Sequence, residues 1–425
     1  MLGELMGRIL ITNGYVVTVD AVRNVYPGGF VAVDGAKISA VGLSRQMPNA
    51  DGFDEVIDAA GSIVVPGLIN MHQHHWYTLF KGLADGLLLE DWVTDLLLPL
   101  SHKLDANAMR VSSYLAGMEM LSTGTTCSLN HSVTTTTPDL VAASIEPQAE
   151  LGIRQVYGKE LRCKTRGNPH HPMSLDEALA AFEEEVRRWN GKHDGLVRFG
   201  IAIESNAHWV AAGMSTEALI CRGHELAKRL GLKITAHISG GTFSLEKGFL
   251  KYLRETGRTD VRYLMQLGIL DPQWVLTHGI HTTELDIEQM SYVGCSLVYT
   301  PTSESIRGGG ISPFANAHRA GVNVALGTDS LVCLDTPDRI SVLDEMRLLY
   351  RRDGTDPMTL LRMGTTAGAA GLGFDESLVT LRPGRTAGLI AVRCGSGCGT
   401  DALAQAMRGT DAPRWVLGPF SGSML

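Results

Sequence analysis

Hydrophobic and polar positions change period twice along the chain. Residues 8 to 64 read as β-rich. The stretch Arg8-Ile-Leu-Ile-Thr-Asn-Gly-Tyr-Val-Val-Thr holds two β-branched runs split by Asn13-Gly14, which predicts a hairpin. Phe30 to Gly42 repeats the pattern around Asp34-Gly35, and Glu55-Val-Ile-Asp58 is a third run. From Ile63 to residue 372, short apolar runs alternate with longer helical stretches. Eight runs read as strands, opening at Ser62, Thr125, Ile153, Val197, Lys233, Trp274, Ser296 and Asn323. Between them lie segments such as Ser174 to Trp189, where Ser174 and Glu177 form a capping-box signature. This alternation means parallel strands joined by crossover helices. Eight such units predict an α/β fold, a (β/α)8 TIM barrel. Leu378-Val-Thr-Leu381 and Ala387 to Arg393 return to β character. The early and late β pieces are expected to pair as one small β-sandwich domain made from both termini. The expected organisation is 1–64 and 373–425 for the halves of that domain, around a barrel at 65–372.

Composition narrows the partners. The chain has 425 residues, 44% of them hydrophobic, which suffices for a large core and excludes a disordered chain. Thirty-seven basic residues against 45 acidic ones give no polycationic footprint, so nucleic acid is not an expected partner. No run approaches the length of a membrane span, and Met1 to Gly14 lacks the pattern of a signal peptide. Seven cysteines, odd and sparse, make no disulfide framework and suit a cytoplasmic setting. Cys394 and Cys398, without further partners, are too few for a metal site.

The chemistry-bearing residues sit where apolar runs end. His72-Gln-His74 closes the run that begins at Ile63. Alternate residues of an extended segment point the same way, so His72 and His74 present two imidazoles to one side. His75 points to the other. His237 ends Leu232-Lys-Ile-Thr-Ala-His, His278 ends Trp274-Val-Leu-Thr-His, and Asp329 ends Asn323-Val-Ala-Leu-Gly-Thr-Asp. In a barrel all these C-terminal ends meet at one mouth. His72, His74, His237 and Asp329 suit one divalent metal ion per chain, Zn(II) or else Fe(II), with a position left for water. Such an ion lowers the pKa of water from about 15.7 toward roughly 7. Asp329 can both bind the ion and take the proton, and His278 can orient the nucleophile or polarise the electrophile.

Around this set lie candidate substrate contacts, each with plain packing as its alternative. Trp76, Tyr77 and Phe80 can wall a flat aromatic substrate; Gln73 lies between the two histidines, and His281 follows His278. Leu88, Trp92 and Leu96 to Leu100 form an apolar helix suited to a lid or an oligomer interface.

The order Pro66-Gly-Leu-Ile-Asn-Met-His-Gln-His, Ala236-His237, Thr277-His-Gly-Ile-His281, Thr300-Pro-Thr-Ser303 and Gly327-Thr-Asp329 resembles the amidohydrolase superfamily. More closely it resembles the branch holding cytosine, guanine and 8-oxoguanine deaminases, S-adenosylhomocysteine deaminase and the triazine hydrolases. Arg362 to Gly373 and Leu381 to Ile390 fit the same branch. The resemblance implies that His72, His74, His237 and Asp329 hold one metal, with His278 as the non-ligand histidine beside its water. It also implies a homo-oligomer acting on a small molecule.

One position departs from the branch. Its deaminases carry a proton-shuttling glutamate three residues after the strand-5 histidine, and this chain has Gly240 there. General acid-base help is worth about 10²- to 10⁴-fold. Glu304 is the first replacement to consider, followed by Glu204 and Glu160. Alternatively, the leaving group needs little acid. The expected activity is hydrolysis of a non-peptide C–N bond, by deamination or amine release from a heteroaromatic ring or cyclic amidine. Two alternatives stand beside it. One is a dinuclear amide, urea or carbamate hydrolase; the other is a non-hydrolytic lyase or inactive relative on the same barrel.

Overall fold

The computed structural model describes residues 7–83, 86–101, 103–133, 136–329, 341–386, 388–395 and 401–417. Cys333 and Cys398 lie outside these residues.

The barrel is the expected one. Its strands are all parallel. They are β6 (Leu68–Gln73), β7 (Thr125–Ser132), β8 (Arg154–Glu160), β9 (Val197–Ala202), β10 (Ile234–Ile238), β11 (Trp274–His278), β12 (Ser296–Tyr299) and β13 (Asn323–Leu326), in sequential order. Helices pack outside them. Leu175–Trp189 shows why such a segment is helical. Ser174 and Glu177 close the capping box, and Ala178, Phe182, Val186 and Trp189 recur at helical spacing on the buried face. Burial of each large side chain contributes about 1.5–3 kcal/mol.

The terminal strands form one separate mixed sheet. Its members are β1 (Arg8–Val17), β2 (Val25–Asp34), β3 (Lys37–Leu43), β4 (Glu55–Asp58), β5 (Ser62–Pro66), β14 (Gly384–Arg385), β15 (Leu389–Arg393) and β16 (Trp415–Leu417). Three local expectations need correction. Asn13-Gly14 makes no hairpin: β1 runs through it with a bulge, Asn13 adopting φ 58° and the register against β2 shifting at Gly14. A bulge absorbs the left-handed residue while the ladder continues on both sides. The run opening at Ser62 is β5 of the terminal sheet, paired with β1 and β15, so the first barrel strand is β6. Leu378 belongs to a 3₁₀ turn, Glu376–Val379, because the Asp375 side chain accepts from Ser377 N (2.8 Å) and caps it. The chain changes sheets at Gly67, where a Cβ would overlap Thr126.

The barrel closes between its first and last strands through polar contacts at the mouth. Gln73 and Asp329 form a parallel bridge, and Asp329 N donates to His72 O (2.9 Å). Just below, Asn70 spans the seam. Its Nδ2 donates to Thr328 Oγ1 (2.7 Å) and Gln73 Oε1 (3.0 Å), and its Oδ1 accepts from Thr328 N (3.1 Å). Asn70 is buried, so losing it strands several polar groups. Asn70→Leu is expected to lower unfolding free energy by about 2–4 kcal/mol. Urea denaturation measures this, and a change under about 0.5 kcal/mol would show that the seam is held elsewhere.

Candidate active site

The C-terminal strand ends bring five histidines together. His72 lies on β6, His131 on β7, His237 on β10 and His278 at the end of β11, with His74 one residue past β6. The ring centroids of His72, His74 and His237 are 4.8–5.4 Å apart. His278 lies 5.5 Å from His237 and 5.7 Å from His72. Asp329, from the loop after β13, places Oδ1 3.3 Å from Nε2 of both His72 and His74.

Neighbouring groups aim these rings. His74 Nδ1 donates to His131 O (2.6 Å), and His72 Nδ1 hydrogen-bonds with Thr277 Oγ1 (3.2 Å). Each contact leaves Nε2 to face the cluster, the arrangement that metal-binding imidazoles require. Ser303 Oγ donates to the other Asp329 oxygen (2.5 Å), and His237 Nδ1 donates to Glu204 Oε1 (2.9 Å). Asp260 fixes two loop ends, accepting from Ser239 N (2.6 Å) and Ala207 N (2.9 Å). Three non-glycine residues here adopt left-handed backbone: Ser239 (φ 43°), His278 (φ 77°) and Asp329 (φ 54°). Such conformations cost about 1–3 kcal/mol each and persist only where the surroundings hold them.

The donor set fits a divalent cation. His72 Nε2 is buried with no hydrogen-bond partner, an expensive state for a group with no ligand to meet. Bonds of about 2.0–2.2 Å at tetrahedral angles separate donors by about 3.3–3.5 Å. The two His Nε2–Asp329 separations, both 3.3 Å, match that span. Charge follows the same pattern. Burial pushes His72 well below the usual imidazole range and His278 down to about 4, so both are neutral donors at neutral pH. Burial opposes the charge on Asp329, but the imidazoles of His72 and His74 beside it hold it well below the usual carboxylate range.

A cavity of about 400 Å³ opens over this cluster, with His74, His237, His278 and Asp329 in its wall. Glu160, Glu204, Arg162 and Gly240 face it as well. Tyr77, Trp92 and Trp209 supply aromatic surface, and His208 stacks on Tyr252 at 3.8 Å. The helical segment from Leu89 to Ser101 covers it as a lid. Glu90 ties that segment to the β10 loop, Oε1 accepting from Thr242 N (2.8 Å) and Oε2 from Thr242 Oγ1 (2.9 Å).

Five expected site residues stand outside the cavity wall, the fully buried His72 among them. Trp76 is buried in an aromatic cluster with Tyr77, at 4.0 Å, and Phe80. Gln73 serves the barrel seam. His281 stacks on Phe249 at 4.4 Å and hydrogen-bonds to Gly241 O (2.9 Å). Glu304 lies behind His278: His278 Nδ1 meets Thr300 Oγ1 (3.1 Å), which donates to Glu304 Oε1 (3.2 Å). Burial raises Glu304 well above the usual carboxylate range. His131 and Arg162 were not singled out by sequence. His131 closes Thr125-Thr-Cys-Ser-Leu-Asn-His, so the strand-end signal that marks His237 marks it too.

Glu160 is a carboxylate of the wall brought close to neutrality. Burial pushes its pKa up to about 7, against the pull of Arg162, whose Nε contacts Glu160 Oε2.

A parallel eight-stranded barrel with histidines and an aspartate at its C-terminal mouth defines a hydrolase of the metal-centre type. The chain belongs to the amidohydrolase family, which residues 63–423 match. It is a hydrolase of carbon–nitrogen bonds other than peptide bonds. It is 31% identical over 401 residues to a 5-methylthioadenosine/S-adenosylhomocysteine deaminase of Syntrophobacter fumaroxidans, covering 92% of this chain and 86% of that one. It is 28% identical to a 5′-deoxyadenosine deaminase of Methanosarcina barkeri, covering 91% and 84%. Among solved structures, an adenosine deaminase from Xanthomonas campestris with bound zinc superposes with a TM-score of 0.80 at 23% identity, covering 98% and 92%. An atrazine chlorohydrolase from Arthrobacter aurescens TC1 complexed with zinc gives 0.83 at 21%, covering 98% and 95%.

Removing Arg162 takes away the positive charge that opposes protonation of Glu160. Arg162→Met is expected to move the Glu160 pKa above its value near 7, read by carbon-detected NMR titration. An unchanged or lower value would mean that Arg162 does not govern this carboxyl.

Proposed function

We propose that this protein is a metal-dependent deaminase of a heteroaromatic small molecule of the purine-nucleoside kind. The carrying observation is a cavity whose wall holds three members of the His72–His74–His237–Asp329 donor set together with a carboxyl poised near neutrality, Glu160. His72, His74, His237 and Asp329 hold one divalent ion, Zn(II) by the donor chemistry. That ion supplies the Lewis acidity that makes water a nucleophile near neutral pH.

The side chains do the rest. His278 is neutral, and with Nδ1 donating to Thr300 it offers Nε2 as an acceptor that orients the attacking water. Asp329 accepts a proton from that water. Glu160 delivers a proton to the departing nitrogen, the task for which position 240 has no side chain. A catalytic acid works best with a pKa near the operating pH, which favours Glu160 over Glu304 behind His278. A cavity of about 400 Å³ with aromatic walls suits a base with an attached sugar. The names of the relatives support a purine nucleoside.

The described residues contain no helix long and apolar enough to cross a membrane. A cytoplasmic setting accords with the sparse cysteines. Exposed Val111, Leu115 and Met118, one stripe of the helix Ala106–Ser122, support a homo-oligomer.

The test is ammonia release by the zinc-loaded enzyme from adenosine, 5′-deoxyadenosine, 5′-methylthioadenosine and S-adenosylhomocysteine. Turnover of at least one, lost with bound metal in His72→Ala, is expected; no turnover of any would reject the substrate class. Glu160 acts in its protonated form, so kcat/KM is expected to fall as pH rises through about 7. Glu160→Gln is expected to lower kcat by about 10²- to 10⁴-fold and to erase that limb. A limb that survives the substitution belongs to another group.

A further inference from the structure

We infer a second cation site beneath the first, built by His131, Glu204 and His237. The inference rests on the metal-dependent reading above. Three barrel strands supply the donors: His131 from β7, Glu204 from the segment after β9, and His237 from β10. Their donor atoms lie within 4.8 Å of one another. Glu204 Oε1 is 2.9 Å from His237 Nδ1 and 3.6 Å from His131 Nε2.

His131 points to a ligand. Its ring is fully buried, and Nε2 has no hydrogen-bond partner. Its other nitrogen is occupied, Nδ1 lying 3.1 Å from Thr235 Oγ1. With Nδ1 as donor there, Nε2 carries a lone pair directed at Glu204, and two acceptors that face each other need a cation or a proton between them. Tetrahedral donors with bonds of about 2.0–2.2 Å sit about 3.3–3.5 Å apart, and the Glu204 separations of 2.9 and 3.6 Å fall on either side of that span. Two imidazoles and a carboxylate, with an open position toward the cavity that Glu204 lines, suit Zn(II).

His237 joins the two centres. Nδ1 faces Glu204, which leaves Nε2 as its donor to the first ion. Binding of the second ion displaces the proton on Nδ1, which passes to solvent. A second Lewis acid there offers polarisation of the substrate on a site whose strand-5 loop provides no acid at Gly240.

Zinc per chain, by plasma mass spectrometry after saturation with Zn²⁺ and removal of the excess, tests this. Wild type is expected to hold two ions, and His131→Ala and His131→Asn one each, with native circular dichroism. His72→Ala, which spares all three donors, is expected to retain the second ion. Cobalt substitution gives an independent reading: the second equivalent is expected to add visible absorption that His131→Asn lacks. One zinc in wild type, lost in His72→Ala and unchanged in both His131 variants, overturns the second site and leaves the first intact. No zinc in any variant overturns the metal-dependent reading as well.

Discussion

Barrel closure and assembly of the active site are one event. The last strand returns to the first through Asp329 N on His72 O and through the Gln73–Asp329 bridge. The same Asp329 then turns its carboxylate to within 3.3 Å of His72 and His74. A left-handed backbone at Asp329 sets both directions at once, the amide into the seam and the side chain into the cluster. Strain of this kind is tolerable because the closed barrel holds it, and the barrel closes with that residue in place. Asn70 adds the inner layer of the same lock, reaching Thr328 across the seam.

The cluster so formed is poor in positive charge before any ion arrives. Burial keeps His72, His74, His131 and His278 neutral, so their nitrogens are lone-pair donors over a wide pH range. His237 alone is pulled the other way: burial opposes its protonation, but Glu204 raises its pKa above the usual value. The centre therefore combines neutral imidazoles with two carboxylates held ionised, Asp329 and Glu204. A small dication compensates such a set better than protons do, since its bonds satisfy several buried acceptors together.

The barrel and most of the central cluster were legible because periodicity reports burial, and a polar residue ending an apolar strand breaks that period visibly. His131 obeys the same rule and needed only its application to the strand before it. What escaped was set by tertiary geometry. Nothing local tells Glu160, at a strand end facing the cavity, from Glu304, one turn into a helix behind His278. Their separation depends on where the β12 loop turns. Trp76 and Gln73 are next to the right residues in sequence and face away from the cavity, one into an aromatic core and one into the seam. In the terminal sheet, Asn13-Gly14 carries the chemistry of a tight turn. Pairing of β1 with β2 on one side and with β4 and β5 on the other outweighs it and leaves a bulge.

Gly240 is informative because backbone geometry does not require it. Its φ lies outside the left-handed region, and a Cβ would meet only the His278 ring, at 3.5 Å, an ordinary contact. The neighbouring Gly241 differs: at φ +95° its place is set by conformation, with Glu90 Oε1 3.0 Å from where a Cβ would stand. A side chain at 240 is thus sterically admissible and absent, leaving open space beside His278 where the relatives' acid would reach. Glu160 approaches the cavity from β8 instead, its charge tempered by Arg162 and its proton favoured by burial. On the proposed reading the acid stands at the end of β8 instead of on the β10 loop, held beside Arg162. A donor so placed serves a leaving group only where the cavity presents that group to Glu160, so the direction of substrate binding and the position of the acid constrain each other.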